Sequence, residues 1–183
     1  MNNYLRAATK ADMDLLFEWA NDPQVRKKSF STQKISYEEH KKWFEDLLKD
    51  KKRKQYIYMV DGKAIGQARV GLDKGTAEIS YSICAAKRGL GFGRSLLRMV
   101  CLQAKQDFPE ILKFIGEVKP ENEVSQKAFL SAGFQAKKYT YEALAEQIVS
   151  KIYWGGVEFS INSRSCAAFG RMVEGAASIR QAG

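Results

Sequence analysis

A glycine-rich loop near the middle of the chain limits its fold more than any other feature of the sequence. Residues 85–100 read AAKRGLGFGRSLLRMV, so every second position from Gly89 to Gly93 is glycine, just before an apolar helical pattern. Such a loop leaves backbone N–H groups open, and the positive end of the helix dipole points the same way. A strand, a glycine loop and a helix in this order predict an α/β domain with an anion site at the loop.

Two common anion-binding loops fit this sequence poorly. A P-loop has Lys and Ser or Thr after its last glycine, whereas Arg94 and Ser95 follow Gly93 here. A dinucleotide-binding loop reads GxGxxG and is followed by an acidic residue at the end of the next strand. This loop reads GxGxG, and Glu110 precedes the next predicted strand. Both classes are therefore disfavoured.

The sequence before the loop predicts two helices and three strands. Thr9 with Asp12 and Ser36 with Glu39 have the spacing of capping boxes, so helices are expected over 10–21 and from Ser36 onward. Pro23 is expected to end the first of them. Strands joined by tight hairpin turns are predicted over residues 55–60, 63–72 and 76–84.

The sequence after the loop predicts a βαβ crossover attached to this meander. An apolar stripe through Leu96 and Val100 predicts a long helix, and the short strand at 113–118 should therefore run parallel to the strand ending near Cys84. Asn122 is expected to cap a last helix that ends at Gly133. Residues 135–144 and 156–162 suggest further strands, and the segment between them is ambiguous. We expect one domain over 1–160 and a C-terminal tail over 161–183.

Composition narrows the class of partner. Thirty Lys and Arg residues against 21 Asp and Glu give a net charge of +9, which favours anionic ligands. The basic residues are scattered and no nucleic-acid motif is present, so no nucleic-acid partner is expected. No apolar run reaches the ~18 residues of a membrane span, and a cytoplasmic location without a membrane partner is expected. Three cysteines and one histidine suggest neither a disulfide framework nor a metal site.

Two motifs in this order resemble those of the GCN5-related N-acetyltransferase (GNAT) superfamily. Residues 88–93 fit the pattern Arg/Gln-x-x-Gly-x-Gly/Ala of its acetyl-CoA pyrophosphate loop, and NEVSQKAFLSAGF at 122–134 is similar to the motif flanking the cofactor thiol. The resemblance spans roughly residues 4–135. It implies a single GNAT-like α/β domain with a mixed, mostly antiparallel sheet, a central parallel pair splayed around acetyl-CoA, and helices on both faces. The cofactor-binding residues that it implies are Ile83, Cys84, Arg88, Gly89, Leu90, Gly91, Phe92, Gly93, Arg94, Ser95, Asn122 and Phe129.

The resemblance implies an acetyl-CoA-dependent N-acetyltransferase, in which an amine attacks the thioester directly and CoA is the product. Strand alternation sends Glu78 to the face opposite Ile79 and Tyr81, which are expected in the core. In this superfamily that face is the substrate cleft, and Glu78 stands at a place similar to the catalytic glutamate of the histone acetyltransferases. The resemblance therefore implies that Glu78 is the general base, acting through water, with a plain solvated strand position as the alternative. Phe129 stands where the superfamily often has a tyrosine acid. Either the thiolate leaves unassisted, or a tyrosine on the next predicted strand replaces the acid, Tyr139 or Tyr141, of which Tyr139 is the candidate; packing is the alternative role for both.

The N-terminal segments suggest the acceptor. Residues 18–30 and 35–44 are similar to those of acetyltransferases that act on nucleotide-linked amino sugars, the pseudaminic acid branch in particular. This similarity implies a small-molecule acceptor, the 4-amino group of a nucleotide-linked amino-dideoxy sugar. Arg26 would meet its diphosphate, with Trp19 and His40 beside it. Similar segments occur in N-terminal acetyltransferases of ribosomal-protein type, and a non-catalytic acyl-CoA-binding module stays a further alternative. A homodimer is left open.

Overall fold

The computed structural model describes residues 2–154, and both the predicted strand at 156–162 and the predicted tail at 161–183 lie outside them. The described part forms one seven-stranded sheet with helices on both faces. In sheet order the strands are β1 (Asn3–Ala7), β2 (Arg53–Val60), β3 (Lys63–Asp73), β4 (Thr76–Ile83), β5 (Lys113–Glu117), β7 (Thr140–Leu144) and β6 (Gln135–Lys137). This is the fold class that the sequence predicts.

Six α-helices accompany the sheet in the described part of the chain. They are α1 (Met13–Ala20), α2 (Pro23–Lys28), α3 (Tyr37–Lys49), α4 (Phe92–Asp107), α5 (Glu123–Ala132) and α6 (Ala145–Trp154), with short 3₁₀ turns at Lys10–Asp12 and Ala85–Lys87. Between residues 2 and 154, no helix combines the length and the apolar run that a bilayer crossing needs.

The sheet is antiparallel except where β4 meets β5. These two strands pair in parallel at only three positions, Thr76 with Lys113, Ala77 with Phe114 and Glu78 with Ile115. Beyond Glu78 no further pairing between them is present in the described chain, so the two strands part and leave a gap. The predicted parallel crossover is confirmed, and its short pairing creates the opening on which the site is built.

Two apolar clusters hold the helices to the two faces of the sheet. On β2, Tyr56 and Tyr58 point into the larger cluster, which includes the buried side of α4. Ile57 and Met59 alternate with them and pack under α1 and α3, together with Phe44. Residues 55–60 of β2 are therefore all buried, because both faces of the strand are covered there.

Some sequence-based expectations for single elements are confirmed, and others differ from the structure. Both capping boxes form, at Thr9–Asp12 and Ser36–Glu39. Pro23 does not simply end a helix: it stands at the first turn of α2, where its missing N–H costs nothing. Strand β1 was not predicted. The segment 135–144 forms a two-stranded hairpin instead of one strand, and the ambiguous segment after it begins with α6.

Candidate active site

A cleft of about 880 Å³ opens at the gap between β4 and β5. The glycine loop and the first turns of α4 and α5 form one side of it, and α2 with α3 forms the other. The cleft therefore extends to both sides of the gap. The glycine-loop side is called the cofactor side below, and the side formed by α2 and α3 is called the acceptor side.

The cofactor side begins with an anion-binding loop. Gly89 and Gly91 have φ angles of +77° and +80°, in the left-handed region that favours glycine, and a Cβ on either would meet nothing within 4 Å. Gly91 is the residue before the first turn of α4. The loop therefore presents bare backbone at the positive end of a 16-residue helix, which is the geometry of a phosphate site.

Arg88 connects this loop to the acceptor side. Its Nε donates to the carbonyl of Ile83 at 3.0 Å, and its Nη1 donates to Oε1 of Gln24 at 3.2 Å. Its Nη2 lies 2.9 Å from the carboxylate of Asp22, the residue that caps α2. The guanidinium is thus held beside the glycine loop by contacts with β4 and α2.

Helix α5 closes the cofactor side. Asn122 caps it, its Oδ1 accepting from the Ser125 N–H at 3.3 Å. Phe129 is only 2% exposed and packs against Phe134 and Tyr141. The end of its ring lies directly over Gly116 of β5, where no side chain larger than hydrogen fits. Phe129 is thus chiefly a core residue with one edge in the cleft.

Two hydroxyl groups lie close to Phe129 and line the cleft. Tyr81 Oη is 3.3 Å from Ser125 Oγ, and the rings of Tyr81 and Phe129 meet edge to face. Burial raises the pKa of Tyr81, so its proton is retained at neutral pH. Sequence analysis assigned Tyr81 to the core, and its ring does pack there. Tyr81 also lines the cleft, at a position where β4 is no longer paired with β5.

Glu78 lies at the point where the strands part. It is the last residue of β4 that pairs with β5, its side chain is exposed, and it lines the cleft with Ser80 and Ser82. These three residues alternate with Ile79 and Tyr81, which are packed in or against the core. A carboxylate at the end of the gap can accept a proton from an amine arriving from the acceptor side.

A polar face on β2, β3 and β4 forms the floor of the acceptor side. Gln55 donates to Gln67, and Gln67 Nε2 donates to Ser82 Oγ at 3.1 Å, which links the three strands. Arg69 continues this face on β3, opposite Ser80. Gln67 and Arg69 were not predicted as site residues from the sequence. Their alternation with apolar residues along β3 could have indicated them, because the strand register puts them on the same face as Glu78.

An aromatic cluster on α3 forms the wall above this floor. His40 is 2% exposed and lies against Phe17, Trp43 and Phe44. Burial lowers the pKa of His40, although the Met13 backbone and Asp14 oppose the shift, so the ring is neutral at pH 7. Trp43 lines the cleft and stacks under the Arg69 guanidinium, 5.5 Å from ring centroid to Cζ.

The predicted acceptor residues are only partly brought together. Arg26 lines the cleft, but its guanidinium donates to the Gln33 carbonyl and the Ser29 hydroxyl, both at 3.3 Å, and therefore braces its own loop. Burial lowers the pKa of Arg26. Trp19 does not line the cleft: it packs with the smaller apolar cluster under α1.

The predicted catalytic tyrosine is not brought to the cleft either. Tyr139 is 54% exposed and does not line the cleft. It precedes β7 in the hairpin turn, beside Lys138, whose φ is +59°.

Most of the predicted cofactor-binding residues do line the cleft. Those that line the cleft are Ile83, Arg88, Gly89, Gly91, Phe92, Gly93, Arg94, Asn122 and Phe129, whereas Cys84, Leu90 and Ser95 lie next to them in the chain without lining it.

The cleft is predominantly basic. Eight Lys or Arg residues and three Glu residues line it. The basic residues are Arg26, Lys28, Arg69, Lys87, Arg88, Arg94, Lys119 and Lys127, and the acidic ones are Glu39, Glu78 and Glu117. Of the carboxylates on the acceptor side, Glu39 is engaged in the capping box of α3, accepting from the Ser36 N–H at 2.9 Å. Glu78 is left as the free carboxylate of the acceptor side, and Glu117 lies across the gap at the end of β5. Among residues 2–154, no group of His, Cys, Asp and Glu side chains is arranged to hold a metal ion.

Comparison with known proteins identifies a family that matches this sequence. The family model described as the acetyltransferase (GNAT) domain matches residues 3–135, more than half of the chain. No curated protein matches the sequence at a significant level.

Solved structures share the fold at low sequence identity. The aminoglycoside acetyltransferase AAC(6')-Ib in complex with coenzyme A is similar with a TM-score of 0.71 and 20% identity, over 82% of this chain and 98% of that one. The spermidine N-acetyltransferase of Vibrio cholerae, in complex with CoA and spermine, gives 0.73 and 16%, over 81% and 98%. An N-acetyltransferase of Staphylococcus aureus Mu50 gives 0.66 and 20%, over 79% and 99%.

Proposed function

The chain belongs to the GNAT family of acetyltransferases, and we propose that it transfers acetyl from acetyl-CoA to an amine on an anionic small molecule, a nucleotide-linked amino-dideoxy sugar. Acetyl-CoA-dependent N-acetylation is the activity of this family. The observation that carries the choice of acceptor is the charge of the acceptor side, which three cationic side chains, Arg26, Lys28 and Arg69, and two carboxylates, Glu39 and Glu78, line.

The cofactor's pyrophosphate is assigned to the glycine loop. Gly89 and Gly91 leave the backbone N–H groups accessible, the N-terminus of α4 contributes its dipole, and Arg88 supplies a full charge. The rest of the cofactor would then run along the gap toward Glu78, with Asn122 on its α5 side. Acetyl-CoA supplies the activated acetyl group, and the chain's residues orient it.

The acceptor amine is assigned to the opposite side of Glu78. Its carboxylate, directly or through one water, removes the proton that the attacking nitrogen must lose. Past Glu78, the edge of β4 that faces the gap makes no pairing with β5 in the described chain, so backbone N–H groups there are available to a developing oxyanion. A proton acceptor and hydrogen-bond donors therefore lie on either side of the position assigned to the reacting carbon.

The departing thiolate is assigned a proton from the pair formed by Tyr81 and Ser125. Their hydroxyl groups are 3.3 Å apart on the cofactor side, beside the Phe129 ring that lacks one. Burial keeps Tyr81 protonated, so it can donate a hydrogen bond or a proton where charge develops. Tyr139, exposed on the hairpin turn, is in no position to do so.

The charge of the acceptor side favours an anion over a polycation. Spermine, bound in the V. cholerae enzyme structure, carries several ammonium groups, which are stabilised by carboxylates and repelled by Lys and Arg. Here Arg26, Lys28 and Arg69 line the acceptor side, against Glu78 and the already engaged Glu39. A phosphate-bearing acceptor matches this balance.

Turnover followed by thiol release tests the proposal. UDP- or dTDP-linked 4-amino-4,6-dideoxy sugars should be acetylated with a far higher kcat/KM than spermidine, kanamycin or peptides with a free N-terminus. The free amino sugar without its nucleotide is the matched control, because it removes only the anionic part. Equal turnover with and without the nucleotide, or turnover confined to peptides, would contradict the proposal. Binding of acetyl-CoA with no amine acetylated would favour a binding module.

A further inference from the structure

A smaller chamber of about 310 Å³ adjoins the cleft, between α3 and the polar face of β2, β3 and β4. The residues that line it are Trp43, Arg53, Arg69, Gly71, Glu78 and Ser80. Four of these, Trp43, Arg69, Glu78 and Ser80, also line the cleft, so the two spaces meet beside the candidate base.

Arg69 is the available cation of this chamber. The other arginine, Arg53, is paired with Asp50, with Nε and Oδ2 2.6 Å apart. Among the described side chains Arg69 has no carboxylate within ion-pair distance, and its one described partner is the face of Trp43. Burial lowers the pKa of Arg69, and the negative charge of Glu78 opposes that shift. A partly buried, unpaired guanidinium is stabilised by an anion that brings its own oxygen atoms.

Gly71 supplies the space. Its Cβ-free position lies opposite Glu78 in the strand register, and an added Cβ would meet only the Arg53 side chain, at 3.8 Å. The backbone there does not need glycine for its φ angle. The absence of a side chain at Gly71 therefore keeps the chamber open, although the strand backbone would accept another residue there.

We propose that this chamber is an acceptor subsite, in which Arg69 binds an anionic phosphate or carboxylate group while the acceptor's amine lies at Glu78. The inference deepens the proposed function and rests on it for the identity of the acceptor. Arg69 lies opposite Ser80, one position diagonal to Glu78 on the same face. The site thus presents a positive and a negative side chain at neighbouring positions, complementary to a molecule that carries an anion and an amine close together.

Calorimetry on the CoA-saturated protein tests the subsite separately from turnover. Saturating CoA fills the glycine loop, and UDP and glucuronate are then titrated as the phosphate and the carboxylate probe. Arg69→Met should weaken the preferred probe about tenfold to a hundredfold, because it removes charge-assisted hydrogen bonds and keeps the chain length. Gly71→Val should weaken it similarly by filling the chamber. Lys27→Met is the matched control, because it removes an exposed cation of α2 that lines neither the cleft nor the chamber, and it should cost less than threefold.

The outcomes separate the inference from the proposed function. Binding of neither probe to the CoA-saturated protein, or equal losses in Arg69→Met and Lys27→Met, would overturn the subsite. The subsite would also be overturned if Arg69→Met left the KM unchanged for an anionic acceptor that the native protein acetylates. If no nucleotide-linked amino sugar is acetylated but probe binding still depends on Arg69 and Gly71, the subsite stands and the proposed acceptor is wrong. Melting temperatures within a few degrees of the native value establish that both variants are folded.

Discussion

The guanidinium of Arg88 lies 2.9 Å from the carboxylate of Asp22, which joins the glycine loop to the cap of α2. The same carboxylate accepts hydrogen bonds from the N–H groups of Gln24 and Val25, at 2.9 and 3.0 Å. Burial acts to raise the pKa of Asp22, but the hydrogen bonds from Val25 and Arg88 outweigh it and the pKa is lowered. The residue assigned to the cofactor's pyrophosphate is therefore held by a charged group from the acceptor side.

Asp22→Asn should tighten acetyl-CoA binding about fivefold. The amide keeps an oxygen to cap α2, and it removes a negative charge worth about 1 kcal/mol beside the site assigned to the pyrophosphate. Calorimetry measures the change, and Asp14→Asn, which removes an exposed charge that does not line the cleft, is the control. Weaker binding in Asp22→Asn would mean that the carboxylate orients Arg88 for the cofactor and does not compete with it.

Gly91→Asp should abolish measurable acetyl-CoA binding, because it places a side chain and a negative charge where the backbone must approach the pyrophosphate. Gly62→Asp is a closely matched control. Gly62 has a φ of +77° in the turn between β2 and β3, with nothing within 4 Å of an added Cβ. Both variants carry the same backbone strain, so a loss in both would point to instability and a loss in Gly91→Asp alone to the site.

Glu78→Gln should leave acetyl-CoA affinity nearly unchanged and lower kcat by about 10²–10⁴, the range for a lost general base. Raising the pH should recover part of the loss, because a larger share of the acceptor amine is then already neutral. Steady-state kinetics across pH measure both effects. Glu117→Gln, which alters another carboxylate of the cleft lining, should be nearly neutral. Full activity in Glu78→Gln would remove this residue from the mechanism.

Tyr81→Phe should lower kcat about tenfold to a hundredfold, whereas Tyr139→Phe should have no effect, because Tyr81 lines the cleft beside Ser125 and Tyr139 does not line it. The expected loss is moderate because a thiol with a pKa of about 8.5 is a fair leaving group. Single-turnover kinetics isolate the chemical step. The reverse pattern, with Tyr139 required, would restore the sequence-based assignment.

Phe129→Tyr should not supply the missing acid. The end of the Phe129 ring lies over Gly116, so a hydroxyl added there would meet the backbone of β5 instead of entering the cleft. We expect a loss of about 1–3 kcal/mol in the free energy of unfolding from overpacking, without a gain in kcat. Chemical denaturation and kinetics measured on the same preparation check both. A faster and equally stable variant would contradict this placement.

Asp12→Asn should destabilise the fold at neutral pH by about 1–3 kcal/mol, because Arg6 donates to both oxygens of this buried carboxylate at 2.8 and 2.6 Å. The hydrogen bond from Arg6 lowers the pKa of Asp12, with burial opposing it. The ion pair's contribution is therefore complete above the ordinary carboxyl pKa of about 4 and is lost as the pH falls through the lowered value. The difference in melting temperature between the native protein and the variant should shrink below about pH 4, and the exposed Asp73→Asn should show no such pattern.

Local signals predict the framework of the site well. The capping boxes at Thr9 and Ser36, the glycine loop and the caps of α5 all depend on neighbouring residues, and all form as expected. The alternation along β4 likewise places Glu78 on the cleft face.

The sequence-based predictions fail for residues whose position depends on pairing between distant segments of the chain. Alternation assigns Tyr81 to the core, but the short β4–β5 pairing opens the sheet beneath its hydroxyl. Tyr139 is placed on a strand by pattern, whereas the positive φ of Lys138 turns the chain into a hairpin there. Arg69 was not predicted as a site residue, because its place in the cleft depends on its register with β4 and on its contact with Trp43 of α3.

The short parallel pairing between β4 and β5, at three positions only, also affects how the protein should be stored and purified. Past that pairing the facing sides of two strands are left without a strand partner in the described chain, and such edges are templates for association between molecules. An extended cofactor lying between them would cover these edges. We therefore expect light scattering of concentrated samples to rise on storage without CoA and to stay flat when CoA is added, so the cofactor belongs in the purification and crystallisation buffers.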